Sequence, residues 1–256
     1  MIKEKVIYMY DGSFEGFLCC VYNFYYNRLK PADIVPMHDY TPSFYQTVEI
    51  ETDFEQAYKV KFAIEEQLGY ENLDFLRECL LSCRKNKEMH MLNYAVKGFK
   101  VGGKIKNMLT DEDVNRLFKA HTHLERERRL YLGIVRFYKS GDVYISCIQP
   151  KNRVLPLIAW HFCTRFSSQR FMIYDKTHGQ ALINSDGENR IVFADDIQLP
   201  PPDENELATQ KLWKGFYDTI AIKERYNPKC RMSFMPKRVW NNLPEMGADI
   251  LNYKKQ

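Results

Sequence analysis

Residues 114–148 read VNRLFKAHTHLERERRLYLGIVRFYKSGDVYISCI, and within this stretch the hydrophobic period changes from helical to strand-like. The spacing of a single helix face comes first, at Val114, Leu117, Phe118, His121 and Leu124. The apolar run that follows predicts strands at 130–138 and 143–148, joined by a hairpin turn at 139–142. The stretch therefore divides the chain into a helix-rich part and a sheet-rich part.

Periodicity on both sides of this stretch defines the fold class. Before it, the pattern predicts a strand at 6–10, helices at about 14–27, 52–69, 72–86 and 87–97, and a proline-broken extended loop between the first two helices. After it, the pattern predicts a helix at 155–166, three strands at 171–174, 181–184 and 190–193, and a last long helix beginning after Asp203. This is an α+β fold with a helical N-terminal half, a mostly antiparallel sheet in the middle and a closing C-terminal helix.

Length and composition favour one domain in a reducing compartment. We expect a single domain over 1–245, helix-rich at 1–128, sheet-rich at 129–198 and closed by 203–245, with a tail at 246–256. The sequence contains no apolar run of the ~18 residues that a membrane span needs and no recognisable signal peptide, so we expect a cytoplasmic protein without a membrane partner. The seven scattered cysteines are expected to be free thiols, and no metal site or cofactor is predicted.

The strongest pointer to function is residues 223–240, here called the basic-aromatic segment. It has one acid, Glu224, and six basic residues: Lys223, Arg225, Lys229, Arg231, Lys237 and Arg238. Tyr226, Phe234 and Trp240 lie among them. Because cations neutralise phosphates and aromatic faces stack on unpaired bases, the pattern predicts nucleic-acid contacts by Arg225, Tyr226, Lys229, Arg231, Lys237, Arg238 and Trp240. The alternative is a solvated surface whose aromatic residues fasten the chain end to the core.

Two further basic positions are candidates for the same surface. Lys104 lies in a glycine-containing stretch, residues 97–106, which has four lysines and no acid and is expected to be a loop. Arg128 belongs to a run of arginines after His123, although Glu125 and Glu127 offset part of that charge. An exposed mobile loop and a solvated helix face are the alternatives.

Three residues are candidates for acid–base chemistry. Asp11 stands where a strand feeds a helix, a position at which a carboxylate is well placed for catalysis, and Glu15 follows in the first turn of that helix. His161 lies off the main apolar stripe of its helix, and a pairing with Asp175 is open. The alternatives are a helix cap for Asp11 and a partly exposed surface histidine.

Several motifs in order along the chain carry a family resemblance. They are Tyr10–Phe17, Leu109–Val114, Gly133–Phe137, Asn227–Pro228, Phe234–Arg238, Trp240 and Leu243–Glu245. Together they resemble an uncharacterised bacterial family assigned to DNA metabolism or repair. The basic-aromatic segment and the resemblance together indicate single-stranded or damaged DNA as a partner. The resemblance also implies a radical-SAM protein as a second partner, because such proteins are typically encoded beside one. Similar domains also occur fused to uracil-DNA-glycosylase-like domains.

Three hypotheses follow. The first is a DNA-binding accessory protein of repair or modification that works with a radical-SAM partner. The second is an enzyme on a nucleic-acid or nucleotide substrate that uses Asp11, Glu15 and His161. The third is a protein-binding module without affinity for DNA. The residues alone do not decide whether the protein is an enzyme.

Overall fold

The computed structural model describes residues 6–26, 30–185, 187–195 and 197–246, apart from the side chains of Lys223 and Asn241. Backbone contacts divide the chain into two compact units, Met1–Glu125 and Arg126–Gln256. Each unit contains its own sheet together with helices, which confirms the α+β class. The single-domain organisation over 1–245 stays a prediction. None of the helices in the described ranges has the length and apolarity required to span a bilayer.

The first unit contains three strands and most of the helices. In chain order its elements are β1 (Val6–Tyr10), α1 (Phe14–Tyr26), β2 (Pro31–Pro36), a 3-10 helix (Met37–Asp39), β3 (Gln46–Glu49), α2 (Phe54–Leu68), α3 (Tyr70–Leu80), α4 (Lys87–Val101), a second 3-10 helix (Gly102–Asn107) and α5 (Glu112–Ile134). The boundary between the two units falls within α5.

The sheet of the first unit is parallel, with strand order β2-β1-β3. The extended loop predicted after α1 is wrong, because it contains both β2 and β3. Proline does not prevent this: β2 is an edge strand, and Pro31 and Pro36 are its first and last residues, where a missing N–H costs least. The strand β1 is buried on both faces, as the neighbouring core residues Ile7 and Tyr8, which point to opposite faces, show.

The second unit is built on a five-stranded mixed sheet. Its elements are β4 (Tyr138–Ser140), β5 (Val143–Ile148), α6 (Leu155–Arg165), β6 (Phe171–Asp175), β7 (Gln180–Ser185), β8 (Glu188–Phe193), α7 (Glu204–Ile220) and α8 (Pro228–Phe234), with 3-10 helices at Lys223–Arg225, Lys237–Asn242 and Pro244–Met246. The strand order is β4-β5-β6-β7-β8, and only the β5–β6 pairing is parallel. The prediction of a mostly antiparallel sheet is therefore confirmed.

The strand predicted over 130–138 is wrong for most of its length. The helix α5 continues to Ile134, and β4 is limited to Tyr138–Ser140. The reason is that Leu124, Glu127 and Tyr131 are buried at helical spacing, so one side of the helix stays covered beyond the predicted end.

Asp203 caps the helix α7, where its Oδ1 accepts the backbone N–H of Glu206 at 2.8 Å. The helix α7 contributes no buried residue, and its apolar residues Trp213, Phe216 and Ile220 are all exposed. Of the predicted tail, residues 247–256 lie outside the described residues, and Met246 is buried.

Candidate functional site

The basic-aromatic segment folds as three short helical pieces rather than as an extended strand. The side chain of Asn227 accepts the backbone N–H of Cys230 at 3.0 Å, and Pro228 occupies the first turn of α8. The helix ends before Pro236, after which the 3-10 helix Lys237–Asn242 begins. The segment is thus locally structured by its own caps and prolines.

One end of the segment is anchored by Trp240. This side chain is only 6% exposed, and its indole N–H donates to the backbone oxygen of Met235 at 2.9 Å. The neighbouring apolar residues Val239 and Leu243 are also buried. A ring buried in this way has no open face for a base. The position of Trp240 therefore agrees with the alternative in which the aromatic residues fasten the chain end to the core.

Arg238 is anchored by a buried carboxylate. Glu127 of α5 is buried and accepts the backbone N–H groups of Lys151 at 3.0 Å and of Asn152 at 2.7 Å. Its two oxygens are further bonded by the side-chain amide of Asn152 at 2.5 Å and by the guanidinium of Arg238. The positive charge of Arg238 is therefore matched by an internal negative charge. This pairing was not visible in the sequence, where Glu127 was counted only as an acid that offsets the nearby arginines.

Most of the other basic and aromatic side chains that the structure describes in the segment are exposed to solvent. Arg225, Lys229 and Lys237 are exposed, as are the rings of Tyr226 at 55% and Phe234 at 78%. The half-buried Arg231 holds its guanidinium 4.9 Å from the centre of the Tyr226 ring, a cation–π distance that fixes one side of that ring. This group, Arg225, Tyr226, Lys229, Arg231, Phe234 and Lys237, is called the presented surface below.

Lys104 is exposed, as a contact residue must be, but its surroundings are not the predicted loop. The helix α4 runs to Val101, and Lys104 lies in the 3-10 helix that follows. Gly103 allows this helix to pack closely, since a Cβ there would lie 2.6 Å from the backbone oxygen of Leu68. Close packing explains why Gly103 is a glycine. The positive charge of Lys104 is therefore the one feature here that still indicates phosphate binding.

The other basic candidates differ in how their charge is used. Lys97 bonds Asp111 and Asp113 at 2.6 and 2.7 Å, and Lys106 bonds Glu71 at 2.8 Å. In the second unit Arg128 is half-buried on α5.

Asp11 lies at the carboxyl end of β1 and is held by the next turn of the chain. Its Oδ1 accepts the N–H of Ser13 at 2.8 Å and the Ser13 hydroxyl at 2.7 Å, and its Oδ2 accepts the hydroxyl of Thr52 at 2.9 Å. Partial burial acts to raise the pKa of Asp11, but the hydrogen bonds from Ser13 and Thr52 lower it below its usual value. Asp11 is therefore an ionised, fixed acceptor.

The cap of α1 is Ser13 rather than Asp11. The Ser13 hydroxyl accepts the N–H of Gly16 at 2.9 Å, and it donates its own hydrogen to Asp11 Oδ1 at 2.7 Å. A Cβ on Gly16 would lie 2.3 Å from Asp11 Oδ1, so glycine is required for the carboxylate to sit there. Glu15, the second acid–base candidate, is exposed in the first turn of α1.

The position of Asp11 in the sheet is more informative than its position in the sequence. The chain passes from β1 to β2 on one side and then to β3 on the other, so β1 and β3 form a topological switch point. At such points the carboxyl ends of parallel strands open a crevice that commonly binds ligands. The Asp11–Thr52 hydrogen bond joins residues that follow these two strands. Sequence reasoning missed Thr52 in this role because β3 was not predicted.

His161 belongs to the second unit and lies half-buried on α6, with its ring edge-to-face against Phe162 at 5.1 Å. Asp175, the partner considered for it, is fully buried and instead binds His178, with 2.6 Å between Oδ2 and Nδ1. Asp175 Oδ1 also accepts the N–H groups of Thr177 and His178, so this carboxylate closes the β6–β7 turn. The three acid–base candidates are thus distributed between the two units, Asp11 and Glu15 in the first and His161 in the second.

The chain was compared with known protein sequences and families. No curated protein sequence matches the chain. A family model described as a domain of unknown function, DUF4130, matches residues 85–245, a range that contains the basic-aromatic segment and His161 but not Asp11 or Glu15. Because the match extends over more than half of the chain, this protein belongs to the uncharacterised DUF4130 family.

Proposed function

We propose that this protein is a DNA-binding accessory protein of repair or modification, which holds single-stranded or damaged DNA on its presented surface. The observation that carries the proposal is the separation of the basic-aromatic segment into an anchored end and an exposed end. Arg225, Lys229 and Lys237 supply exposed cations, and Tyr226 and Phe234 supply exposed rings. Cations next to aromatic faces are the recurring composition of single-strand binding surfaces.

The anchored end gives the presented surface a fixed position. Arg238 is tied to Glu127, and Trp240 is packed and hydrogen-bonded within the same unit. The contacts of the last 3-10 helices with β5 and with each other hold the segment against the sheet of the second unit. A surface ordered before binding loses less conformational entropy on binding than a disordered tail does.

A preference for unpaired over paired DNA follows from the rings. In a duplex the base faces are stacked on each other, so Tyr226 and Phe234 contribute only where bases are unstacked. Stacking on an aromatic side chain stabilises binding by about 1–3 kcal/mol per base. The lysines and arginines contact phosphates of either form.

The radical-SAM partner is the part of the proposal that rests on the sequence resemblance alone. A pull-down with a purified radical-SAM protein of the kind that the resemblance implies, with and without single-stranded DNA, tests it directly. Retention of that protein only when DNA is present supports an accessory role on DNA. Tight retention that DNA does not affect, together with no DNA affinity, supports the protein-binding module instead.

The experiment for DNA binding is fluorescence anisotropy of a labelled single strand and its duplex over a range of salt concentrations. A triple variant, Arg225→Ala/Lys229→Ala/Lys237→Ala, removes three exposed cations from the presented surface. If each contacts one phosphate, the slope of log affinity against log salt becomes shallower by about 2 for single-stranded DNA. Wild-type protein is expected to bind the single strand more tightly than the duplex.

The matched control is Lys59→Ala/Lys85→Ala/Lys119→Ala, which removes three exposed lysines from the first unit. It changes the net charge by the same amount, so an equal effect of both triples would mean that binding follows overall charge and not this surface. Absence of binding by the wild type at low salt would overturn the proposal.

A second candidate function is supported by the switch point of the first unit: an enzyme acting on a nucleotide or nucleic acid, with Asp11 as the acid–base group. The supporting observation is the ionised carboxylate of Asp11 at the ends of two parallel strands, beside the hydroxyls of Ser13 and Thr52. A screen of nucleotides and oligonucleotides for turnover tests it, with Asp11→Asn expected to abolish any activity found. Glu66→Gln, an exposed acid on α2, is the charge-matched control, and equal activity of Asp11→Asn and wild type removes the candidate.

A further inference from the structure

The second unit contains a cavity of about 320 Å³. It lies where the strands β5 and β6 begin, next to the end of α6. Four aromatic side chains and one amide line it: Phe137, Tyr144, Phe166, Phe171 and Gln169. Ligand pockets in proteins begin at about 300 Å³, and their usual content is aromatic walls with a few placed polar groups. The cavity therefore has the size and lining of a site for one small flat group.

The aromatic walls are set at large angles to one another. The ring of Phe137 meets Phe166 at 5.5 Å and Phe171 at 5.6 Å, with planes 68° and 70° apart. Such edge-to-face contacts hold the rings in place, and the half-buried rings of Phe137, Tyr144 and Phe166 keep part of their surface open to the cavity. A planar heteroaromatic ligand is the class of molecule that these walls complement.

The amide end of the cavity is fixed by a buried asparagine of β7. The side-chain amide of Asn184 donates to the backbone oxygen of Gln169 at 2.8 Å, and the Gln169 N–H donates to the oxygen of Phe166 at 3.0 Å. The side chain of Gln169 is exposed, and among the described residues its amide has no hydrogen-bond partner. An exposed amide, which offers both a donor and an acceptor, therefore lies beside the aromatic walls on a backbone held by hydrogen bonds.

A cation lies beside the same pocket. The guanidinium of Arg165 is 5.9 Å from the centre of the Phe166 ring, and the side chain is exposed. A group that stacks on aromatic rings, pairs with an amide through its edge and carries a phosphate is a nucleotide. We propose that this pocket holds one unpaired nucleobase, with Gln169 on its hydrogen-bonding edge, the aromatic rings on its faces and Arg165 toward its phosphate.

The base has two sources, a single-stranded DNA and a free nucleotide. The first source rests on the function proposed above, because the base would be a residue of the strand held by the presented surface. The second does not, since a mononucleotide needs only the pocket. The same recognition chemistry serves both, so the experiment uses both.

The experiment is fluorescence titration with 2-aminopurine, once as the free deoxynucleoside monophosphate and once as a single residue inside an oligothymidylate strand. Stacking in the pocket is expected to quench the emission of the wild-type complex. Gln169→Ala is expected to weaken the quenching complex roughly 10-fold, as expected for loss of a paired amide–base contact. Gln169→Trp, which fills the cavity from an exposed position, is expected to abolish the quenching while the protein stays folded.

The matched control is Gln67→Ala, an exposed glutamine on α2. Loss of the quenching in the Gln169 variants, with unchanged anisotropy of the labelled strand, separates base capture from backbone binding and supports the pocket. Quenching by the free nucleotide, in a protein that does not bind DNA, supports the pocket and contradicts the proposed DNA-binding function. Quenching that Gln169→Trp leaves at the wild-type level, or none with either probe, overturns the inference.

Discussion

Arg238 and Arg225 belong to the same basic-aromatic segment but are used in opposite ways. Arg238 reaches Glu127, a buried carboxylate that also accepts three hydrogen bonds from Lys151 and Asn152. Arg225 is exposed and has no ion-pair partner among the described residues. One cation stabilises the fold, and the other remains available to a ligand.

The same contrast occurs in the first unit between Lys97 and Lys104. Lys97 bridges Asp111 and Asp113, whereas Lys104, seven residues later, is exposed. The comparison shows that the count of basic residues in a segment overstates the charge offered to a phosphate. The anchored cations hold the segment in place, and under the proposed function the presented ones contact the ligand.

The largest expected effect comes from removing an anchored cation. Arg238→Ala leaves the Glu127 carboxylate buried without its counter-charge, and we expect the free energy of unfolding to fall by about 3–5 kcal/mol. Urea denaturation followed by circular dichroism measures it. Arg225→Ala is the matched control and is expected to change stability by no more than ~0.5 kcal/mol. Equal stabilities for the two variants would remove the distinction between anchored and presented arginines.

The aromatic residues allow the same comparison to be made without charge. Trp240→Ala removes a buried ring and its hydrogen bond to Met235, and is expected to cost about 3–5 kcal/mol of stability. Phe234→Ala removes an exposed ring and is expected to leave the urea midpoint unchanged. A shift of the midpoint by Phe234→Ala as large as that of Trp240→Ala would show that Phe234 is also a packing residue.

Binding measurements are expected to reverse that ranking. Tyr226→Ala should lose about 1–3 kcal/mol of affinity for single-stranded DNA with little change in affinity for the duplex. Trp240→Phe, which keeps a buried ring, should bind like the wild type. Anisotropy titration with both forms of DNA measures the difference. If Trp240→Phe loses affinity while Tyr226→Ala does not, Trp240 and not Tyr226 contacts the DNA, and the division into anchored and presented rings is wrong.

The smallest effect is the pH dependence of the Lys97 cluster. The hydrogen bond from Lys97 lowers the pKa of Asp111 below its ordinary value of 3.8. A carboxyl group with a lower pKa in the folded than in the unfolded protein stabilises the fold above its unfolded pKa, and this contribution is lost as the pH falls further. Lys97 is 37% exposed, so solvent screening keeps the contribution to roughly 1 kcal/mol or less.

The corresponding measurement is the urea midpoint at pH 6 and near pH 3. The wild type is expected to lose more stability between the two than Lys97→Met, because the variant no longer favours the ionised Asp111. Lys104→Met is the control and should follow the wild type. A steeper loss in Lys97→Met than in the wild type would contradict the sign of the pKa shift.

Local patterns allowed much of the fold to be predicted. The extent of α2, the buried face of α5, the cap of α7 at Asp203 and the hairpin turn before β5 were all readable, because periodicity and capping depend on residues a few positions apart. The strands β2 and β3 were missed because Pro31 and Pro36 of β2 and Pro42 before β3 are typical of a loop, and the role of both strands as edge strands depends on pairing with β1. With them the switch point at Asp11 and Thr52 was missed.

The sequence by itself determined the α+β class, the helix faces and the concentration of positive charge and aromatic rings in residues 223–240. Only the tertiary structure decided which of those cations are already paired. The partner of Arg238 lies 111 residues earlier in the chain, and no spacing rule connects the two. Ion pairing and burial depend on distance in space, whereas periodicity depends on distance along the chain, and this is why the composition of the segment could be read from the sequence and its division into anchored and presented residues could not.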